Sequence, residues 1–238
     1  ARTMYYIFKG AALINVVADI ADNHVYVKWK DGSVVNGMRQ MTAEALIRVR
    51  QFGKLISSVM GIEGQFLIRI GDSGIPDNQL QVATSSGNYT SADLGIPTNQ
   101  WVHVAMTYDA DARRMRVYIN GVNKMDVETQ NIGAVNWGVP YTDEADGSRS
   151  FRIGYSWDSS RYLDGEISEV RIWNRVLTAA EINAKDHFYE VDPASEGLQA
   201  YWRFNDGNGT TIKDHTINEN DGTAFSTMKW TSVELPAK

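Results

Sequence analysis

Short runs of alternating hydrophobic and polar residues recur along the whole chain. In QWVHVAMTYDA, the side chains of Val102, Val104, Met106 and Tyr108 alternate with those of the intervening residues. Successive side chains of a strand point to opposite faces, so this spacing predicts a strand with one buried face. The run MRVYINGV contains Asn-Gly at 120–121, which favours a tight hairpin turn because both residues tolerate positive φ.

Further runs rich in β-branched and aromatic residues are separated by Gly, Asn, Asp and Pro. ALINVVADIA predicts a buried strand and its exit turn, and five more runs predict strands: FLIRIGD, NQLQVAT, SFRIGYS, EVRIWN and LQAYWRF. Many short strands with this punctuation are typical of a sandwich or jelly roll. We therefore expect an all-β fold, a two-sheet antiparallel jelly-roll sandwich.

The segment GEISEVRIW departs from strict alternation. Ile167 has odd parity, whereas Val170 and Ile172 have even parity, so a regular strand cannot bury all three on one face. Two explanations stay open at this point. Either a bulge lies near Ser168, or a loop or helix covers the outer face of the strand as well.

One short helix is predicted after this strand, near residues 178–187. Thr178 and Glu181 have the T-x-x-E spacing of a capping box, and Leu177 and Ile182 have the spacing of a hydrophobic staple. This pattern explains Glu181 as a capping residue rather than as a catalyst.

Composition and charge narrow the classes of function. The 238 residues carry a net charge of −6 with no run of Lys or Arg, so we expect no nucleic-acid-binding face. No apolar stretch approaches the roughly 18 residues of a membrane-spanning helix, so we expect no membrane insertion of this segment. The absence of cysteine excludes disulfides, thiolate metal sites and thiol nucleophiles.

With 43% hydrophobic residues the chain can bury one large core, and we expect a single domain over 1–238.

Three segments together resemble the laminin-G-like, concanavalin-A-type jelly roll. The first is WVHVAMTYDADARRMRVYINGV, which is similar to that family's central hairpin. The second is FRIGYSWDSSRYLDGEISEVRIWNRVLTAAEI, similar to its closing strand and helix, and the third is GLQAYWRFNDGNGTTIKDHTINENDGT. The match covers most of residues 40–238 and is weakest over residues 1–39.

One branch of this family is more similar than the rest. ISSVMGIEGQFLIRIGD, PDNQLQVAT and FYEVDP resemble the C-terminal jelly roll of surface glycan-binding lipoproteins from gut anaerobes. This resemblance implies a cell-surface or outer-membrane lipoprotein. It also implies a glycan or oligosaccharide ligand, with a neighbouring domain or uptake-complex proteins as alternative partners.

The acidic residues do not support catalysis. Jelly-roll glycosidases of the laminarinase type carry carboxylates at i, i+2 and i+4 of one strand, where this chain has Glu166, Ser168 and Val170. Asp164 shares a face with Glu166, yet Asp164-Gly165 is explained as a turn entering the strand. The GDSG sequence at 71–74 is similar to the nucleophile turn of trypsin-like proteases. That site requires a His general base and an Asp that orients it, and none of the four His residues lies in a sequence typical of such a base. We expect no catalytic residues and no enzyme.

The resemblance also raises the question of calcium, which prefers hard oxygen ligands from loops. In the pentraxin branch, calcium ligands follow the strand that here precedes Trp157, and Asp158 is the matching acid. A second set is Asp206, Asn208 and Asp214, whose spacing does not match an EF-hand loop. Turn-forming Asp and Asn explain this second set without a metal.

Sugar binding requires aromatic faces that stack on pyranose rings and polar groups that bond the hydroxyls. Residues 155–162 combine two Tyr, a Trp, an Asp and an Arg, and aromatic residues occur in two further loops. For the loop near 137–141, packing onto the sandwich is the competing explanation. The candidate ligand-binding residues are Tyr155, Trp157, Asp158, Arg161, Tyr162, Trp137, Tyr141 and Tyr89.

Two charged residues, Glu63 and Arg69, are expected to form hydrogen bonds or ion pairs. Glu63 lies between Gly61 and Gly64 and is interpreted as accepting backbone N–H bonds in a turn. Arg69, if buried, needs a partner such as Glu63 or Asp72, because an unpaired buried cation is costly.

Three functions stay open. The first is a non-catalytic carbohydrate-binding module, favoured by the aromatic loops and the missing carboxylates. The second is a protein-interaction or structural module, which would present a broad apolar patch. The third is a hydrolase with its site elsewhere in the chain.

Overall fold

The computed structural model describes residues 12–27, 29, 37–84, 87–130, 133–136, 150–157 and 159–236. Their strands form two sheets of eight strands each, with antiparallel pairing. The expected all-β sandwich is confirmed. Within this described part, no helix has the length and apolar character needed to span a bilayer.

The first sheet has β12 (Asp164–Trp173) near its centre, and β13 (Leu198–Trp202) pairs with β12 outside the main strand order. The main order is β10 (Val122–Glu128), β9 (Arg114–Ile119), β8 (Trp101–Asp109), β3 (Gln40–Gln51), β12 (Asp164–Trp173), β1 (Ala12–Asp19) and β16 (Lys229–Pro236). The predicted hairpin between β9 and β10 is present, with φ of 50° at Asn120 and 77° at Gly121.

The second sheet carries the surface on which the candidate site lies. Its order is β14 (Thr211–Ile212), β15 (Gly222–Ala224), β2 (Val25–Val27), β11 (Arg152–Ile153), β4 (Ser57–Ile62), β5 (Phe66–Asp72), β6 (Ile75–Thr84) and β7 (Gly87–Tyr89). Single 3-10 turns occur at Ala92–Leu94 and Ser159–Arg161.

The main hydrophobic core lies between the sheets. Ile47 and Val104 enter it from the first sheet, and Ile68 and Val82 enter it from the second, each at most 1% exposed. A smaller apolar cluster covers the outer face of the first sheet and includes Tyr118, Trp173, Leu177, Ile182, Phe188 and Tyr201. The first sheet is therefore buried on both sides over much of its width.

Strand β12 combines both explanations offered for its irregular parity. The register with β3 shifts between Ser168 and Arg171, and Glu169 takes a φ of 53°, so the strand contains a bulge. As a result Ile167, Val170 and Ile172 all enter the main core. The smaller cluster covers the outer face, as the second explanation required.

Helix α1 (Ala179–Ile182) begins with the predicted capping box. The Glu181 N–H donates to the Thr178 hydroxyl at 3.1 Å, and the Glu181 carboxylate accepts from the Thr178 N–H at 3.3 Å. The helix is a single turn, shorter than the predicted 178–187. Turns follow Asn183, and Asp186 has a φ of 65°, which an α-helix cannot contain.

Candidate functional site

The described residues of the loop, 154–157 and 159–163, called here the aromatic loop, lie against the outer face of the second sheet. Ser58 and Arg69 are neighbours on that face, because they pair in register across β4 and β5. The Ser156 hydroxyl bonds the Ser58 hydroxyl at 2.5 Å in a buried contact, and the Gly154 N–H donates to the Val59 carbonyl at 2.8 Å. These bonds fix the loop to β4.

Trp157 projects from this loop into solvent. Its side chain is among the most exposed large hydrophobic groups, at 55%. Its backbone φ is 63°, in the left-handed region that a bulky residue rarely occupies. The Arg161 guanidinium carbon lies 6.0 Å from the centre of the indole ring, at the outer range of a cation–π contact. The loop thus presents an exposed aromatic face beside a cation.

Tyr155 and Tyr162 form the base of the loop rather than its surface. Their ring centres are 5.1 Å apart, and Tyr155 stacks on His24 at 4.6 Å. His24 in turn stacks on Phe225 at 4.9 Å, and the Arg152 guanidinium lies 4.8 Å from the Tyr155 ring centre. Both tyrosines are partly buried, so they support the position of Trp157.

His24 is held neutral inside this stack. It is 3% exposed, and neither ring nitrogen makes a hydrogen bond with a described residue. Burial, with a contribution from the charge of Arg152, lowers the pKa of His24 to about 3. A neutral imidazole can pack between two aromatic rings without a counter-ion.

Arg161 connects the aromatic loop to the turn between β4 and β5. Its Nη1 lies 3.4 Å from a carboxylate oxygen of Glu63, and both side chains are about one-fifth exposed, at 22% and 21%. The partner of Glu63 is thus a side chain of the aromatic loop, whereas the sequence indicated backbone N–H groups. Beside this pair lies a depression of about 230 Å³, called here the groove, lined by Glu63, Gly64, Gln65, Phe66, Leu67, Arg69, Ala83, Thr84, Gly87 and Asn88.

Four of the eight candidate ligand-binding residues come together in the aromatic loop: Tyr155, Trp157, Arg161 and Tyr162. Tyr89 is separate from them. Its ring packs against the main core and its hydroxyl lies 2.9 Å from that of Thr129, so its contacts are those of a packing residue. Asp158, also the candidate metal ligand, and Trp137 and Tyr141 lie outside the described residues.

The carboxylates considered for catalysis lie on the opposite side of the sandwich. Asp164 pairs with Arg50 at 2.5 Å, and Glu166 lies 3.7 Å from Arg48, on the outer face of the first sheet. Burial raises the pKa of Glu166, although both arginines oppose that shift. These acids therefore face away from the aromatic loop and are paired with arginines.

A second charged cluster is fully buried beneath α1 and the turns after it. Glu44 accepts bonds at 2.8 Å on one oxygen from Arg171, His103 and His187, and at 2.7 Å on the other from the Trp173 indole. Burial alone would raise the pKa of Glu44, but Arg171 and the two histidines hold it well below its usual range. Burial lowers the pKa of His103.

This cluster includes the one group of three metal-type side chains found among the described residues, Glu44, His103 and His187. An ion there would have to displace donors from a carboxylate that already accepts four bonds. It would also lie beside the guanidinium of Arg171, which repels it. The cluster is better explained as a polar network that fixes the outer cover of the first sheet.

The residues of the second calcium set are held mostly by backbone groups. Asp214 accepts hydrogen bonds from the N–H groups of Tyr201, Thr216 and Asn220. Asp206 accepts from the Lys213 N–H, and burial, with Asp221 adding to the effect, raises its pKa. These contacts are those of turns. Calcium binding therefore stays a prediction.

Sequence reasoning missed several residues that shape the site. His24, Arg152 and Phe225 support the aromatic loop, yet they are far apart in the sequence: His24 precedes β2, Arg152 lies on β11 and Phe225 follows β15. A partial signal existed for Arg152, because a charged residue in SFRIGYS must find a partner when buried. The pairing of Arg69 with Asp72, at 2.9 Å, was among the predicted alternatives and is confirmed.

The chain belongs to the concanavalin A-like lectin/glucanases superfamily, whose laminin-G-type family matches residues 21–183. The resemblance noted in the sequence is confirmed. No curated protein matches the chain significantly.

Several solved structures share the fold. A candidate carbohydrate-binding protein from Bacteroides ovatus is 29% identical with a TM-score of 0.76, and the match covers 94% of this chain and 62% of that protein. The chain thus spans less than two thirds of that protein's length. A heptameric SAP-like pentraxin from Limulus polyphemus is 16% identical with a TM-score of 0.50, covering 92% and 97% of the two chains. The binding domain of Paraclostridial Mosquitocidal Protein 1 is 14% identical with a TM-score of 0.51, covering 76% and 45%.

Proposed function

We propose that this chain is a non-catalytic carbohydrate-binding module, and that its ligand stacks on Trp157. The observation that carries the proposal is the exposed indole, held in a left-handed backbone conformation by a loop fixed to β4. Arg161 and Glu63 lie beside it and supply donors and acceptors for sugar hydroxyls. Stacking faces with polar groups on loops of a rigid scaffold are typical of ligand sites.

The likeness to the Bacteroides ovatus carbohydrate-binding candidate supports this proposal, because its identity of 29% exceeds that of a merely shared fold. We further propose that residues 1–238 form one jelly-roll domain of a bacterial surface protein. As part of such a protein, the domain would face the extracellular space and pass glycans to an uptake system.

A glycan array of host and plant oligosaccharides, followed by calorimetric titration of the positive compounds, tests the proposal. We expect Trp157→Ala to lower affinity at least tenfold, about 1.4 kcal/mol, because the stacking face is removed. Val122→Ala is the matched control, since Val122 is 54% exposed on β10 of the first sheet, and it should bind as the wild type does.

Two results would contradict the proposal: silence of the whole array, or unchanged binding by Trp157→Ala. Release of reducing sugar during incubation with the bound glycans would instead indicate a hydrolase. The array and the sugar-release assay therefore separate the first and third candidate functions.

A protein-interaction module is the second candidate, and one surface favours it. Ile217 is 96% exposed and lines a depression of about 320 Å³ together with Pro193, Ala194, Ser195, Leu198, His215 and Thr216. If this surface rather than the aromatic loop is functional, Ile217→Ser should abolish association with a co-expressed neighbouring protein. Trp157→Ala should then leave that association unchanged.

A further inference from the structure

The groove next to Glu63 has the features of a second ligand-contacting surface. It lies on the outer face of the second sheet, where Leu67 pairs in register with Ala83, and Ala83 with Asn88. Leu67 and Ala83 form its apolar floor, at 4% and 5% exposure, and Asn88 lies exposed at its rim. The Glu63–Arg161 pair separates this groove from Trp157.

Among the residues that line the groove, Arg69 has a side chain held in position to donate hydrogen bonds to a ligand. It is 7% exposed, with Nε donating to Gln81 at 2.7 Å and Nη2 donating to Asp72 at 2.9 Å. These two bonds fix the plane of the guanidinium. The remaining nitrogen, Nη1, donates to none of the residues described, and Arg69 lines the groove. Two oriented N–H donors are thus available to an acceptor in the groove.

The charges around the groove indicate which kind of ligand group would accept hydrogen bonds from Arg69. Arg69 is paired with Asp72, and Arg161 is paired with Glu63, so each cation at the groove has its own carboxylate. A carboxylate-bearing sugar would have to compete with these acids. A hydroxyl or ring oxygen needs only the free N–H donors and the Asn88 amide.

We propose that the groove is a second sugar subsite, and that the site holds an uncharged oligosaccharide with one unit on Trp157 and another in the groove. This inference rests on the proposed function. The volume of about 230 Å³ lies below the roughly 300–1,000 Å³ of ordinary ligand pockets, which suits a single sugar unit. The Arg161–Glu63 pair then contacts the linkage between the two units.

Calorimetric titration with oligosaccharides of one to six units tests the subsite. The probes are the cello-, xylo-, manno- and arabino-series, with oligogalacturonides as the acidic series. For the neutral series that binds, we expect affinity to rise at least tenfold between one unit and three units. We expect weaker binding of the acidic series.

Asn88→Tyr blocks the groove from its exposed rim and should reduce the affinity for the trisaccharide to that for the monosaccharide. Asn88→Ala, which adds no bulk, should lower it by a smaller factor. Asn123→Tyr is the matched control, because Asn123 is exposed on β10 of the first sheet. Circular dichroism verifies that each variant is folded.

The subsite is overturned if sugars bind through Trp157 but affinity is independent of length, if Asn88→Tyr binds the trisaccharide as Asn123→Tyr does, or if only the acidic series binds. In these cases the proposed function survives, provided that Trp157→Ala still lowers affinity at least tenfold. If no sugar in these series binds and the glycan array is silent as well, the proposed function fails and the subsite fails with it. If the array is positive but none of these series binds, the proposed function survives and the subsite as proposed is overturned.

Discussion

Glu44 illustrates how a buried carboxylate organises residues that are far apart in the sequence. Its donors come from β8, from β12 and from the turns after α1. Arg171 also bonds Glu169, which in turn bonds Arg203 and Tyr201, so the network extends beneath the whole outer cover. Each buried charge in it has an opposite partner, which is the condition for keeping such charges out of water.

Replacing Glu44 by Gln should lower the free energy of unfolding by about 3–5 kcal/mol, because Arg171 loses half of its compensating charge inside the protein. Urea unfolding followed by tryptophan fluorescence measures the change. Glu128→Gln, at an exposed position of β10, should stay within about 0.5 kcal/mol of the wild type. A loss below 1 kcal/mol for Glu44→Gln would show that the network contributes little.

At the residue scale, local sequence patterns point to exposed residues more readily than to buried polar ones. Trp157 and Arg161 were selected because aromatic and charged residues are dense in their loop; the structure places the exposed Trp157 beside Arg161, and their role in binding stays a prediction. Tyr89 was chosen by the same signal; its hydroxyl lies beside that of Thr129 and its ring packs against the main core, and its role in binding stays a prediction. Glu44 was missed, because its donors are 59 to 143 positions away and only the tertiary fold brings them together.

Among the elements, β12 explains how the sheet joins its outer cover. Before the bulge it pairs with β1, through Ile167 opposite Ala18, and after the bulge it pairs with β13, through Val170 opposite Trp202. The bulge thus lets one strand have two successive neighbours on the same edge. Parity of the hydrophobic residues predicted the irregularity, but the change of neighbour depends on long-range pairing that a local pattern does not contain.

The capping box of α1 should be measurable in spite of the helix being one turn long. Thr178→Ala removes the acceptor for the Glu181 N–H and should cost about 1 kcal/mol in unfolding free energy. Thermal or urea denaturation measures this loss, with Thr210→Ala at an exposed loop position as the control. Equal stability of the two variants would indicate that the contacts of Leu177 and Ile182 alone fix the helix.

For the molecule as a whole, the two outer faces have different roles. The first sheet is covered by an apolar cluster and a polar network, and its surface acids Asp164 and Glu166 are paired with arginines. The second sheet carries the aromatic loop and the groove. The sequence predicted the sandwich and the loop, but it could not assign them to faces, because that depends on the strand order.

Acid should destabilise the protein through two histidines, the buried His24 and the half-buried His215. The pKa of His24 is about 3 and that of His215 about 4, both lowered first by burial and then by neighbouring cations, while unfolded histidine titrates near 6.5. Between about pH 6.5 and these values the unfolded chain binds more protons, so unfolding becomes more favourable as the pH falls.

His24→Phe should reduce this acid sensitivity, because phenylalanine can stack between Tyr155 and Phe225 without titrating. Between pH 7 and pH 5 we expect the wild type to lose about 2 kcal/mol more of unfolding free energy than the variant. Urea midpoints measured at both pH values give this difference, in which the other titrating groups cancel. Parallel pH curves for the two proteins would exclude His24 as a source of acid sensitivity.

The pairing of β1 with β16 has a consequence for how the backbone can be rearranged. Ala12 lies opposite Pro236, and partners in an antiparallel ladder are only about 5 Å apart. A linker of a few amino acids between these positions, in place of residues 1–11 and 237–238, would close the backbone into a ring and leave the ladders of the described strands in place. Reopening that ring at the exposed Ser73-Gly74 turn would give a circular permutant with the same described strands. Its new termini would lie at the turn between β5 and β6, the two strands that contribute Leu67 and Ala83 to the groove.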